Sequence, residues 1–352
     1  MANSSRHPMT PLVPPKYVTD IYTTEEEKLL FDVVRNNGPW QLTVAHHFTS
    51  AEEYMAVSGP KDLDPSVKLE LSDLLTPTFR GYLGNYGVAY EQEAHDIYFS
   101  RKLLDMIKGM HGAQYAVPHT FLFNLRPPAH SFDAGHFDGA SWRGINLNNT
   151  PLWLISVMAK SGLFDRWSVK AGQVIAYYYD SAIDGGFTYW PDGPDLPPRR
   201  FAPPFWNSGL LTDNEKMYHR GEANGPRDRR KVRGLQLNSL IAGEGDDEWV
   251  IRNDGTEIAR YHNADMRFLF HYSAHVFDDR ADLTQYLEHT DDLTIETALN
   301  MLIDDMRSRG VSFEEPTDPL VDRTFISIAN QAYAMAPAEY PQEAPLDRVG
   351  AA

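Results

Sequence analysis

A mainly β domain of the sandwich or jelly-roll kind, with helices before and after it, is the fold class this sequence predicts. Three observations predict it. From Tyr115 onward, short aromatic and β-branched runs recur, and Gly, Pro, Asp or Asn punctuates the gaps between them. Many short strands separated by turn signals mark an antiparallel sandwich or barrel. On either side of that stretch, the apolar positions recur at helical spacing instead. Hydrophobic residues make up 42% of the chain and aromatic residues 12%, so there is ample apolar material for a packed core.

The elements follow in order. Residues 1–22 form a Pro-rich lead-in. Thr23 and Thr24 precede Glu25, Glu26 and Glu27, which places hydroxyl caps before acids in a first helical turn. Leu29, Leu30, Val33 and Val34 give this helix one apolar face, and Asn36-Asn37-Gly38 ends it. Two more helices are expected, over about 66–76 and from His95 to Met110, the second carrying Leu103, Leu104, Met106 and Ile107 at helical spacing. Strand-like runs then cover Tyr115–Leu125, stopped by Arg126-Pro127-Pro128, and Pro151–Met158, Val174–Tyr179, Phe187–Trp190 and Ser208–Leu211. Gly234–Ile241, Glu248–Ile251 and the long Arg267–Phe277 complete the set. Helix returns from Leu283, with Leu293, Ile295, Ala298, Leu299 and Leu302 at helical spacing, and the tail beyond about 335 is rich in Pro and Ala. The organisation expected is one domain: a mainly helical part over 1–112, a β core over 113–280, and a C-terminal helix and tail over 281–352.

Composition narrows the function classes. The formal charge is −17, and an acidic surface repels phosphate backbones and anionic lipid, so no nucleic-acid or membrane partner is expected. No cysteine is present, which excludes disulfides, thiolate metal sites and cysteine nucleophiles. A metal must therefore be held by His, Asp and Glu. The N-terminal residues hold no apolar run of signal-peptide length, and no stretch reaches membrane-spanning length, so the expected compartment is the cytoplasm. Neither a phosphate-cradling glycine motif nor the Gly-x-Ser-x-Gly elbow of a hydrolase occurs.

The sharpest local feature is Gly135-His136-Phe137-Asp138-Gly139. On an extended backbone, residues i and i+2 project to the same side, so His136 and Asp138 can offer one nitrogen and one oxygen to a single ion. A second histidine would complete a two-histidine, one-carboxylate face with three open positions, the arrangement of non-haem iron(II) oxygenases. The spacing alone is weak, because about one His-x-Asp is expected by chance from this composition. The other one, His289-Thr290-Asp291, directly precedes a helical pattern, where Thr290 or Asp291 reads better as an N-cap than as a ligand.

From about Tyr115 to Phe277 the chain resembles iron(II)/2-oxoglutarate-dependent oxygenases of the broad phytanoyl-CoA-hydroxylase-like group. The resemblance rests on GHFDGASWRG (135–144), GGFTYWPDGP (185–194) and TDNEKMYHRGEANGP (212–226), covers roughly half the chain, and says little of the substrate. It implies a double-stranded β-helix core, with His-x-Asp near its start and a second metal-binding histidine leading into a late strand. His219 fits that place, so the implied iron(II) ligands are His136, Asp138 and His219. His119, His130, His271 and His275 are the rivals for the third position, and His271 and His275 also suit a pocket wall or a supporting role.

The resemblance further implies 2-oxoglutarate and O2 as co-substrates, oxidation of a small-molecule substrate at a C–H bond with hydroxylation as the default outcome, and release of succinate and CO2. The far carboxylate of 2-oxoglutarate needs a buried cation, and the planar fork of Arg suits it. In the family this Arg opens the final strand. Arg267 has that position if residues 227–266 are an inserted loop and hairpin. If they are not, Arg230 is the substitute, with Arg229 and Arg233 behind it; the basic run 227–233 also reads as a solvated loop. Trp142 and Arg143, close behind the His-x-Asp pair, are the expected substrate contacts. Tyr177-Tyr178-Tyr179 and Phe187–Trp190 read as packed sheet faces, of which alternation turns every second residue inward. Two other readings stay open: a cupin-like metal dioxygenase or isomerase that needs no anchoring Arg, and a non-enzymatic β-helix binding module.

Overall fold

The computed structural model describes residues 7–59, 68–180 and 183–335. Helix α1 (Thr24–Asn36) starts where its caps predict. The Thr23 hydroxyl accepts from the Glu26 amide while the Glu26 carboxylate accepts from the Thr23 amide, satisfying two otherwise free donors at once. Short helices α2 (Thr43–His47) and α3 (Ala51–Ser58) follow. The stretch expected as one helix from His95 to Met110 is two, α4 (His95–Tyr98) and α5 (Arg101–His111), because the Ser100 hydroxyl caps a new start by accepting from the Leu103 amide. Of the helix expected over 66–76, residues 66 and 67 lie outside the described residues, and the rest holds a single tight turn, Leu71–Leu74. The N-terminal part is not helices alone. Strands β1 (Lys16–Thr19), β2 (Trp40–Leu42), β3 (Phe79–Asn85) and β4 (Val88–Ala89) lie between and around them. The tail beyond 335 lies outside the described residues.

The core strands are β5 (Tyr115–Arg126), β6 (Lys170–Tyr179), β7 (Phe187–Tyr189), β8 (Arg199–Phe201), β9 (Phe205–Thr212) and β10 (His219–Gly221). An inserted set, β11 (Leu240–Glu244), β12 (Glu248–Asn253) and β13 (Thr256–His262), precedes the last strand, β14 (Arg267–Phe277). Of the run expected over Gly234–Ile241, only its last two residues enter a strand.

These strands form two antiparallel sheets. The larger runs β1-β9-β6-β14-β5-β3-β2-β11-β12-β13, with β4 beside β3, and the smaller runs β10-β7-β8. Bridges Ala129↔Asn224 and His136↔His219 lay segment 129–136 along the free edge of β10. In chain order the segments β5, 129–136, β6, β7 and β8, β9, β10 and β14 therefore alternate between the sheets. That alternation, with β9-β6-β14-β5 on one side and 129–136, β10, β7, β8 on the other, is the double-stranded β-helix. The insertion β11–β13 joins the far edge of the large sheet through β2, which leaves Arg267 free to open β14.

Strand alternation gives the large sheet two different faces. Val174, Ala176 and Tyr178 of β6 with Phe268, Phe270 and Tyr272 of β14 pack outward, into a core shared with Leu30 and Val34 of α1 and Leu103 and Ile107 of α5. Ile175, Tyr177 and Tyr179 turn inward with Leu269, meeting Phe187 and Tyr189 of the small sheet.

The run Pro151–Met158, expected as a strand, is helix α6 (Leu152–Ser161). Trp153 through Lys160 are all buried, so the segment has no solvent face and, with only Ser156 and Lys160 polar among them, shows no amphipathic period from which a helix could be read. It packs with Ala56 of α3 and with C-terminal helices α8 (Ile295–Ser308) and α9 (Arg323–Ala332) in a second core, after α7 (Arg280–Glu288) has left the sheet. Helix α8 is capped by Thr294, not by Thr290 or Asp291; the Asp291 carboxylate is instead paired with Arg143. Among the described residues, no helix is long and apolar enough to cross a membrane.

Candidate metal centre

His136 and His219 face each other across two reciprocal backbone hydrogen bonds, of 2.9 and 2.8 Å, where segment 129–136 meets the start of β10. Two residues on, the Asp138 amide donates to the Asn214 carbonyl at 3.0 Å, which brings its side chain to the same end of the β-helix. Gly135, at φ +134, makes the bend before them in a conformation that side-chain-bearing residues rarely adopt. One nitrogen of each histidine and one Asp138 oxygen lie within 4.8 Å of one another. Asp138 Oδ1 is 3.8 Å from His219 Nε2 and 4.0 Å from His136 Nε2.

The surroundings set which atoms are free to bind. His136 Nδ1 donates to Asp133 at 2.5 Å, and His219 Nδ1 donates to the Met217 carbonyl at 3.0 Å, which leaves the Nε2 lone pair of each ring toward Asp138. Gln173 of β6 donates through Nε2 to Asp138 Oδ2 at 3.0 Å, and its Oε1 accepts from the Asn214 amide at 3.1 Å. One Asp138 oxygen is thereby occupied and the other offered. Burial opposes ionisation of Asp138, but His219, His271, His136 and Arg80 around it bring its pKa down to about 2. Burial and then His136 lower His219 to about 4, so its ring is neutral and can donate a lone pair at neutral pH. Against burial, Asp133 raises the pKa of His136, so an ion binding there displaces a proton from its Nε2. The donor set of two imidazoles and one carboxylate fits iron(II).

Arg267 opens β14 and is buried on the interior face. Its guanidinium lies over the rings of Tyr177 and Tyr179, at 5.2 and 5.0 Å, and its Nε has no hydrogen-bond partner. Its partner in register on β5 is a second buried arginine, Arg126. Arg126 donates to the His130 carbonyl at 2.5 Å and leaves its own Nε unpaired; burial, then Arg267, lowers its pKa to about 9. A side chain on Gly221 would begin 3.6 Å from Nη1 of both arginines, so the glycine keeps the space before them clear. Among the described residues, no carboxylate forms an ion pair with either. Two guanidiniums so placed, with donors unspent, fit an anion between or beside them.

The other expected residues are placed as follows. Arg230 is half-buried, donates to the Gly225 carbonyl at 2.9 Å and adds to the positive field at Arg126, at the margin of the arginine pair. Arg229 is exposed and pairs with both oxygens of Asp265, and Arg233 is exposed. Trp142 and Arg143, expected at the substrate, fasten the segment behind the metal group to the turn before α8 and to the turn 165–167 before β6. Trp142 is buried among Trp167 and Leu293, and Arg143 donates to both Asp291 oxygens, at 2.7 and 2.9 Å, and to the Arg166 carbonyl. His271 is on the interior face with Nε2 buried and unpartnered, while His119 and His275 stack on each other at 4.1 Å. His130 contributes its carbonyl to Arg126.

Asp133, Gln173 and Arg126 were missed from the sequence, as were Arg80 and His47 on the N-terminal elements. Signals existed for two of them: Gln173 is a lone polar residue entering the apolar run Val174–Tyr179, and Asp133 stands three residues before the His-x-Asp pair.

No family model and no curated protein sequence matches the chain. Among solved structures it is similar to an oxidoreductase of the 2OG-Fe(II) oxygenase family from Burkholderia pseudomallei, at 10% identity and a TM-score of 0.39, covering 75% of this chain and 86% of that one. It is also similar to a prolyl hydroxylase from Trichoplax adhaerens, in complex with a hypoxia inducible factor oxygen degradation domain peptide fragment, at 9% identity and a TM-score of 0.36, covering 77% of this chain and 87% of that one.

Proposed function

We propose that the chain is a non-haem iron(II) oxygenase that uses 2-oxoglutarate and oxidises a C–H bond of a small molecule, releasing succinate and CO2. One observation carries the reading: a two-histidine, one-carboxylate group and the buried Arg267 guanidinium, which has no carboxylate ion-pair partner among the described residues, line the same β-helix interior. When bound, iron(II) supplies oxygen activation, chemistry that no side chain of this chain can perform.

The chain's own residues bind, orient and shield. His136, Asp138 and His219 would hold the ion, three donors that leave room for a co-substrate. Asp133 and the Met217 carbonyl fix the proton of each imidazole on Nδ1, and Gln173 keeps Asp138 to a single free oxygen. Arg267, with Arg126 beside it, receives the far carboxylate of 2-oxoglutarate through its planar fork. Tyr177, Tyr179 and Phe187 wall this part of the interior and keep water from it. A dioxygenase or isomerase without 2-oxoglutarate would have no use for the unpaired arginines, and a binding module would have none for an open ligand face.

The test is anaerobic addition of iron(II) and then 2-oxoglutarate to metal-free protein, followed in the visible range. The weak charge-transfer band of the iron chelate is expected only when both are present. Iron uptake without that band contradicts the 2-oxoglutarate reading, and no iron uptake contradicts the metal reading as well.

A further inference from the structure

The interior face of the large sheet extends beyond β5 onto β3, and there it carries a further cation, Arg80, separate from the arginine pair. Arg80 is the register partner of Asn124, which is itself the partner of Leu269; Tyr82 is the partner of Leu122, which is the partner of His271. The next inward rung after His271 is Ser273 with Gln173, the residue that holds Asp138. Rungs on one face are about 7 Å apart and neighbouring strands about 4.8 Å; Arg80 and Tyr82 therefore lie two strands from His271, across Leu122, and Arg80 is near enough to act on both His271 and Asp138.

Among the described residues, the side chains that hydrogen-bond to the Arg80 guanidinium are neutral. Its Nε donates to Asn124 Oδ1 at 2.8 Å and its Nη1 to His47 Nε2 at 2.6 Å, and the Tyr82 hydroxyl lies 3.2 Å from the same His47 nitrogen. His46 is turned away, with one ring nitrogen on Gln41 and the other on the Arg80 carbonyl. Burial, and then Arg80, hold His47 near a pKa of about 3, so it carries no charge. Among the described residues, no carboxylate forms an ion pair with Arg80. Asp138 lies in its field, but that charge is spoken for once an ion is bound. His271 beside it has a buried, unpartnered Nε2. The two cation sites have different neighbours. Arg80 acts on Asp138, His136 and His271, whereas Arg267 lies in the field of Tyr177, Tyr179 and Glu222, and Arg126 in that of Arg267, Asp133 and Tyr179.

We propose that Arg80, Tyr82 and His271 form the substrate subsite, and that the substrate carries an oxyanion, a carboxylate or a phosphate, which Arg80 receives beside the metal group. His47 and Asn124 hold the guanidinium in place, and His271 Nε2 offers the substrate one further polar contact. This rests on the oxygenase reading for its metal, and its test separates the two.

The protein is loaded with manganese(II), which is paramagnetic and does not support turnover, and saturated with 2-oxoglutarate. Proton relaxation of three matched probes is then measured: benzoate, phenyl phosphate and neutral benzamide. Relaxation enhancement is expected for benzoate or phenyl phosphate and not for benzamide, and which of the two responds more strongly identifies the oxyanion. Arg80→Gln, which keeps a donor for Asn124, is expected to weaken that probe about tenfold, the effect of one lost charge-assisted contact, while Arg80→Lys restores part of it. Manganese binding and thermal melting of both variants check that the site and fold persist. Equal enhancement by benzamide, no enhancement by any probe, an anion effect unchanged in Arg80→Gln, or probe displacement by 2-oxoglutarate would each overturn the subsite. Loss of 2-oxoglutarate binding in Arg80→Gln would overturn it too, by assigning Arg80 to the co-substrate. Failure to bind manganese in the unsubstituted protein would sink the metal reading itself.

Discussion

The two faces of strand β14 are built from alternate residues of one eleven-residue segment and do opposite work. Phe268, Phe270, Tyr272, Ala274 and Val276 look outward into the helices, all buried and apolar or aromatic. Arg267, His271, Ser273 and His275 look inward with Leu269, and three of these five carry a buried nitrogen without a partner. Unpaired buried polar atoms disfavour folding, by about 1–3 kcal/mol each. The inward face is therefore stabilised from behind: Phe270 meets Phe31 at 5.6 Å and Tyr178 at 5.8 Å, and each such aromatic contact adds to its area of burial. One face holds the strand in place while the other keeps buried polar atoms unpaired, as the proposed ligands require.

That division can be broken from either side. The largest effect is expected at the ligands. Asp138→Ala or His219→Ala removes one of three donors, and iron(II) binding measured by anaerobic dialysis should fall to background while the circular dichroism spectrum is kept. Retained stoichiometric iron in His219→Ala would move the third ligand to His271 or His275. On the opposite face, Phe270→Ala should lower unfolding stability by about 3–5 kcal/mol, with iron affinity of the folded fraction unchanged. A parallel loss of metal affinity at temperatures where the variant is fully folded would show that the two faces are not separable.

Arg267→Ala should weaken 2-oxoglutarate binding by about thirtyfold or more, from the roughly 2–5 kcal/mol attached to a desolvated charge pair, and leave iron binding intact. Arg230→Ala is expected to be nearly neutral in the same titration. A large loss in Arg230→Ala with none in Arg267→Ala would reverse the assignment. Gln173→Ala frees the second oxygen of Asp138 and should reduce iron affinity by about ten- to hundredfold; full affinity would mean that the hydrogen bond at Asp138 Oδ2 does not orient the ligand.

The smallest effect concerns acid. Burial, then His271, lowers His119 from an unfolded value near 6.5 to about 4. Between those values the unfolded chain binds the proton and the folded one does not, so stability is full above about pH 6.5 and declines as pH falls toward 4. From about pH 7 to about pH 5 one such histidine removes roughly 2 kcal/mol. Denaturant unfolding of metal-free His119→Gln should show a correspondingly smaller loss than the unsubstituted protein, and an equal loss would remove His119 from the account.

What the sequence showed and hid follows the same division. The outward and inward residues of β6 and β14 were readable because strand alternation is strict, and His136 and Asp138 because both belong to one short extended segment. His219 and Arg267 needed the family resemblance, since nothing local sets them apart, and the structure brings His219 to within reach of Asp138. Helix α6 was hidden by its own burial: a helix with no solvent face has no period. Arg80 and His47 were hidden by distance, because their place beside Asp138 exists only once β3 has paired with β5. Arg126 looked like a strand terminator before two prolines, and its role emerges only from the register that sets it against Arg267.

The central claim is that one interior holds an iron site on His136, Asp138 and His219 and a separate carboxylate site on Arg267 and Arg126. A crystal structure of the protein with manganese(II) and 2-oxoglutarate, grown anaerobically, tests it most directly. The account predicts the ion on Nε2 of both histidines and Oδ1 of Asp138, with the far carboxylate of 2-oxoglutarate on Arg267. An ion seated on His271 or His275 instead, or a 2-oxoglutarate carboxylate resting on Arg80, would contradict it.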